Sequence, residues 1–135
     1  MIRGSCMCGG VTFELTGEPI GTTLCHCTEC RKCAGANGST NLLVEAEHFH
    51  KMGETRSWTR KGISGQDVVY NFCTTCPTIV AVRLESKGGR MSVKAGLLES
   101  VRDIKRLSPQ REIFVKDRIG PWCERSKDVI LKEAN

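Results

Sequence analysis

Aromatic residues are scarce in this sequence, 5% of 135 positions, so its core must rest on aliphatic side chains and would profit from an external staple. No apolar run approaches the length that crosses a bilayer. The N-terminus passes from Met1 to a cysteine motif at Cys6 without the apolar segment of a secretory signal. Internal repeats, low-complexity linkers and long helical patterns are absent. Also missing is any long block of like charge: the formal net charge of +5 comes from 20 Lys and Arg spread along the chain. Arg102, Lys105, Arg106 and Arg111 gather locally, which reads as a solvated face rather than a polyanion site. These absences argue against membrane insertion and nucleic-acid binding. They leave a cytoplasmic chain, most simply one domain over 1–135 with its core at about 2–123 and a tail at 124–135.

What the sequence has in abundance is cysteine. Nine is an odd number, so complete internal disulfide pairing is impossible. In a reducing compartment such a load more often binds metal. Cys123 stands alone beside Trp122 and reads as an ordinary thiol. The other eight fall into two sets. Cys6 and Cys8 form one short-spaced pair, Cys73 and Cys76 another, each expected at a strand edge. Four thiolates from two such pairs satisfy the tetrahedral preference of zinc and leave no position open, which marks a structural site that would pin the two halves of the chain together. The alternative is four unrelated buried thiols, since cysteine is often buried.

The second set lies in Cys25-His26-Cys27-Thr28-Glu29-Cys30-Arg31-Lys32-Cys33. Cys25, Cys27 and Cys30 can converge if the chain turns tightly, and three protein ligands with one exchangeable position is the arrangement of a catalytic zinc. A three-thiolate zinc is a weak acid toward water but suits an incoming soft ligand such as a substrate thiol. Arg31 and Lys32 would offset the negative charge and hold substrate carboxylates, or simply lie on the surface. Cys33 is open among three roles: a fourth ligand that closes the site, a buried thiol, or a redox partner. His26, between two ligands, is expected to point away from the metal.

Around these motifs the pattern is of short strands. Val11, Phe13 and Leu15 alternate with Thr12 and Glu14, the period of a half-buried strand. Further strands are expected at 20–24, 39–44, 56–60, 67–72, 78–84 and 91–95, the last two as a hairpin around Lys87-Gly88-Gly89-Arg90. Residues 29–33 should make one helical turn. Residues 45–52 are ambiguous, Ile113-Phe114-Val115 is a further apolar run, and 127–135 has weak helical character. The fold class is therefore all-β and mainly antiparallel.

Three stretches together carry a resemblance. Gly4-Ser5-Cys6-Met7-Cys8-Gly9-Gly10-Val11, then Cys25-His26-Cys27-Thr28-Glu29-Cys30-Arg31-Lys32, then Phe72-Cys73-Thr74-Thr75-Cys76 resemble the glutathione-dependent formaldehyde-activating enzyme and centromere protein V family. The resemblance implies a β-tent fold like that of Mss4, a structural zinc on Cys6, Cys8, Cys73 and Cys76, and a catalytic zinc on Cys25, Cys27 and Cys30. It also implies addition of glutathione to formaldehyde, a reaction classed with the carbon–sulfur lyases. Pro77 stands where the family usually has glycine, and Cys33 where it has a small residue. The function expected is thus a zinc-dependent carbon–sulfur lyase acting on a glutathione-type thiol or thiol adduct, with two Zn2+ per chain. Arg31, Lys32 and Asn37 would orient the peptide, although Asn37 before Gly38 also suits a plain turn. Two rival classes are a non-catalytic zinc scaffold for a protein or nucleic-acid partner, and a switch in which Cys27, Cys30 and Cys33 exchange zinc for a disulfide.

Overall fold

The computed structural model describes residues 1–120; Trp122, Cys123 and the expected helical tail lie outside the described residues. Among the described residues, ten strands form two open sheets. A three-stranded sheet has the order β1 (Ile2–Ser5), β2 (Thr12–Leu15) and β5 (Phe49–Met52), antiparallel throughout. The larger sheet contains β3 (Gly21–Cys25), β4 (Ser39–Val44), β6 (Thr55–Lys61), β7 (Asp67–Cys73), β8 (Ile79–Leu84), β9 (Arg90–Lys94) and β10 (Arg111–Ile113). Its order is β10-β3-β4-β9-β8-β7-β6, and the one parallel pairing joins β10 to β3. The described residues also include two short α-helices, α1 (Thr28–Ala34) and α2 (Val101–Arg106). The all-β expectation is met.

The two faces of the large sheet have different tasks. Leu42, Val44, Met91, Val93 and Ala81 are cross-strand neighbours on one face, and all join a main core with Val11, Phe13 and Leu15 of the small sheet. Phe13 lies with its ring centroid 5.6 Å from that of Phe49, which extends this core to β5. The opposite face carries Asn41, Leu43, Ser92, Lys94, Val82 and Tyr70, again in register from β4 through β7. A small second cluster of Val68, Tyr70 and Val82 packs there with Ile79 and Leu84. Burying the first face against the small sheet leaves the second free.

The short strand β1 exists because of what faces it. A Cβ on Gly4 would lie 2.2 Å from the Phe13 ring and 2.7 Å from the Leu97 carbonyl oxygen, so only glycine lets the two chains approach this closely. Helix α2 begins at Ser100, whose hydroxyl accepts a hydrogen bond from the Asp103 amide at 3.2 Å. Its basic residues do stand on a solvated face. Arg106 is bound to Glu18 at 2.7 Å and to Asp103 at 3.4 Å.

Candidate metal centres

The turn between β1 and β2 carries Cys6 and Cys8; Cys73 ends β7, and Cys76 lies in the turn that leads to β8. Their four sulfurs all lie within 4.8 Å of one another. Cys6 Sγ is 3.5 Å from Cys8 Sγ, which is 3.7 Å from Cys73 Sγ. A tetrahedron of ~2.3 Å metal–sulfur bonds has edges of about 3.8 Å, so this set could hold one metal ion with every position filled. It would join the small sheet to the large one.

Backbone amides surround these sulfurs as they would thiolates. Val11 N donates to Cys6 Sγ at 3.2 Å, and Thr75 N and Cys76 N donate to Cys73 Sγ at 3.3 and 3.5 Å. Burial opposes ionisation of Cys6, but the Val11 amide and its cysteine neighbours outweigh it and the pKa falls. The Thr78 hydroxyl holds Cys76 down to about 6. Thr78 Oγ1 accepts from Met7 N at 3.1 Å and from the Cys76 thiol at 3.2 Å, and once that thiol ionises the hydroxyl proton can turn to the sulfur. At Cys8 the Gly10 amide favours the thiolate, yet the Cys6 sulfur, desolvation and the Cys76 and Cys73 sulfurs together outweigh it and drive the pKa up to about 11. Without a cation, four crowded sulfurs cannot all ionise. A bound cation would supply the charge they lack.

Cys25 ends β3, Cys27 caps α1 and Cys30 lies in its first turn, with Cys30 N donating to Cys27 Sγ at 3.4 Å. Their sulfurs form the second set within 4.8 Å, again able to hold a metal ion. Cys30 hydrogen-bonds the Cys25 sulfur and, against burial, holds Cys25 down to about 6, helped by the Cys27 amide and the charge of Lys94. The same contact pushes Cys30 far upward, and burial raises Cys27. Gly38, at φ 91°, closes the loop after α1 onto this strand end: a Cβ there would lie 2.8 Å from the Cys25 carbonyl oxygen.

The decisive difference between the sets is what lies above them. All three cysteines of the second set line a cavity of about 320 Å³ on the second face of the large sheet. Val68, Val82 and Leu84 form its apolar wall, and Arg60, Lys94 and Glu29 bring charge to it. Arg60 Nε donates to the Tyr70 hydroxyl at 3.0 Å, with its guanidinium carbon 5.6 Å from the ring centroid. Ile113 and Phe114 of the run after β10 also line the cavity. Phe114 holds φ at 54°, a left-handed conformation rare outside glycine.

The structure sorts the other candidate residues. Cys33 is exposed and outside the three-sulfur set. His26 is buried and outside the three-sulfur set, with Nε2 3.1 Å from Glu112 Oε1. Lys32 lines an adjoining cavity of about 620 Å³ with Trp58, Tyr70 and Phe72. Arg31 and Asn37 line neither of these two cavities. The cations that do face the thiols, Arg60, Lys87 and Lys94, were not singled out from sequence, because only sheet register brings them to one face. Among the described residues, no helix is long and apolar enough to cross a membrane.

Comparison with known proteins agrees with this arrangement. The sequence model of the family described as glutathione-dependent formaldehyde-activating enzyme matches residues 1–117. A crystal structure of a Rhodobacter sphaeroides protein superposes with a TM-score of 0.61 at 18% identity, covering 82% of this chain and 98% of that one, which shows a shared fold. A search of curated proteins finds no significant match.

Proposed function

The chain belongs to the glutathione-dependent formaldehyde-activating enzyme family, and from that premise we propose that it is a zinc-dependent carbon–sulfur lyase. Its substrate is a glutathione-type thiol with an aldehyde, or the corresponding thiol adduct. Cys6, Cys8, Cys73 and Cys76 would hold a structural zinc, and Cys25, Cys27 and Cys30 would hold a second zinc beneath the cavity. The observation that carries this reading is the cavity over the three-sulfur set.

Zinc at the second set supplies a position that favours a soft sulfur ligand as its thiolate. The residues of the chain do the rest. The apolar wall formed by Val68, Val82 and Leu84 limits water around the reacting sulfur. A glutathione-type thiol carries two carboxylates and one ammonium group. Arg60 and Lys87 are placed to face the former, and Glu29 the latter. Lys32, on the adjoining cavity, extends the cationic side of the site. Arg31 and Asn37 flank it on and after α1, where Arg31 offsets the charge of the thiolates. A cavity of about 320 Å³ is at the small end of ligand pockets yet much larger than formaldehyde needs, which favours a substrate with a peptide-sized part.

Calorimetric titration of glutathione into zinc-loaded protein tests this reading, with S-methylglutathione as the blocked control. Saturable binding that requires the free thiol and disappears in Cys27→Ser is expected. Absence of binding with both zinc ions in place would remove the proposal.

A further inference from the structure

Lys94 ends β9 and lines the same cavity as Cys25, Cys27 and Cys30. It is half-buried, and among the described residues no carboxylate pairs with it. Its ammonium is fixed on two neutral acceptors instead: Nζ donates to Ser39 Oγ at 2.7 Å and to Asn41 Oδ1 at 3.0 Å. Those acceptors are buried and themselves held. Asn41 Nδ2 donates to the Ser39 carbonyl oxygen at 2.8 Å, which settles the amide orientation and turns Oδ1 to the lysine; the Ser39 hydroxyl donates to that same Oδ1 at 3.2 Å. Ser39 is also the register partner of Cys25, and Asn41 of Lys94, so the ammonium is anchored beside the strand end that carries the first sulfur.

An ammonium has three N–H groups. Two are spent on Ser39 and Asn41, and one remains for the cavity. Ordering a lysine in a partly dry site without a carboxylate is costly in entropy and hydration. Its charge already favours the Cys25 thiolate, and the N–H left over is suited to further negative charge that arises during a reaction. When a thiolate adds to an aldehyde, negative charge arises on the carbonyl oxygen. Neither histidine nor tyrosine offers a better donor on this wall. No histidine lines this cavity. Tyr70 is engaged with Arg60, and in the order of the sheet β7 is farther from β3 than β9 is.

Resting on the function proposed above, we propose that Lys94 is the catalytic residue that receives the carbonyl oxygen. The sulfur lone pair forms the S–C bond while the C=O π pair moves to oxygen. The Lys94 ammonium gives its free proton to that oxygen, making the hydroxyl of the adduct and leaving an amine. The next thiol restores the ammonium as it enters and becomes thiolate. In the lyase direction the amine takes the hydroxyl proton, the C=O bond re-forms, and the S–C bond breaks.

The test compares wild type with Lys94→Met, Lys94→Arg and Asn41→Ala, each loaded with zinc. Zinc content, calorimetric binding of glutathione without aldehyde, and kcat and KM for glutathione with formaldehyde are measured. For Lys94→Met the expected result is full zinc content, thiol binding within about threefold of wild type, and kcat lowered ~100-fold or more, the range for a lost proton donor. Lys94→Arg should recover less than about a tenth of the rate, because a guanidinium keeps its proton. Asn41→Ala, which retains the lysine but frees it, should lower kcat about tenfold with zinc retained, and it carries the test should Lys94→Met fold poorly. A Lys94→Met enzyme within threefold of wild-type kcat overturns the assignment. So does full rescue by arginine, or zinc loss that accounts for the fall in rate, since each makes Lys94 only a compensating charge. Failure of wild type itself to bind the thiol would remove the function proposed for the site. Normal wild-type binding and turnover with an unaffected Lys94→Met would remove only the role of Lys94.

Discussion

Cys8 Sγ lies 3.7 Å from Cys73 Sγ, although 65 residues separate them in the chain. One sulfur belongs to the turn of the small sheet and the other to the end of β7 in the large one. A metal ion on this set therefore acts as a clasp between the sheets, and its binding free energy is part of the folding free energy. Cys73→Ser should lose one zinc equivalent and about 3 kcal/mol or more of stability, a fall in Tm on the order of 10 °C. Metal analysis and calorimetric melting read both quantities. A variant that loses its zinc and melts with wild type would show that the clasp is dispensable.

The hydroxyl of Thr78 is expected to set the acid limit of that clasp. Cys76 has a folded-state pKa of about 6, below its ordinary value of 9.0, with the Thr78 hydrogen bond as the largest cause. A depressed thiol contributes stability that is present above the unfolded pKa and is lost as pH falls through the folded one. The vulnerable window thus runs from about 9 down to about 6 in the metal-free protein, and bound metal moves it lower because the ion competes with the proton. Thr78→Val removes the donor, raises the Cys76 pKa and should shift the midpoint of zinc release upward by up to ~1 pH unit. A zinc-release titration with a colorimetric chelator checks this. An unchanged or lower midpoint would contradict it.

Strand positions were legible where side chains alternate. Val11, Phe13 and Leu15 announced β2, and residues 39–44 and 67–72 match β4 and β7 closely. Metal candidates were legible because cysteine spacing is local. What could not be read was set by distant neighbours. Strand β1 has a glycine at its centre and depends on Phe13 for its place. The ambiguous 45–52 stretch became a 3-10 turn at Ala46–His48 and then β5 once β2 offered it an edge. Helix α2 did leave a local signal, Ser100 with Asp103 three residues on, and the sequence reading passed over it. Arg60 and Lys94 reach the same cavity from β6 and β9, separated by β7 and β8 in the sheet, an arrangement no linear motif encodes.

A buried imidazole fastens the mouth of the cavity. His26 is 3% exposed and its Nε2 meets Glu112 Oε1 at 3.1 Å, while His26 N donates to the Ile113 carbonyl oxygen at 3.0 Å. These two bonds tie β10, with Ile113 and Phe114 beyond it, to the strand that delivers Cys25. Glu112→Ala leaves a buried ring nitrogen without a partner and should cost about 1–3 kcal/mol. Glu112→Gln, which retains an acceptor, should cost less. Urea unfolding of the zinc-loaded variants separates the two, with zinc content unchanged in both. Equal midpoints for Glu112→Ala and wild type would mean that the pair contributes nothing.

Cys33 decides between an open site and a closed one. It is exposed, whereas Cys25 is buried and Cys27 and Cys30 are half-buried beneath the cavity. Cys30 and Cys33 have the spacing of an ordinary metal knuckle, yet only Cys30 joins Cys25 and Cys27 within 4.8 Å. An exposed thiol outside the ligand set should tolerate substitution, with a stability change within about 0.5 kcal/mol. Cys33→Ser is thus expected to keep two zinc ions, its Tm and its glutathione affinity. Cys30→Ser should lose the second zinc and thiol binding while retaining the clasp zinc, because the two sets share no residue. Zinc analysis beside calorimetry on both variants makes the comparison. Loss of the second zinc from Cys33→Ser would make that cysteine a fourth ligand, fill the position the substrate sulfur needs, and turn the favoured reading toward a structural scaffold.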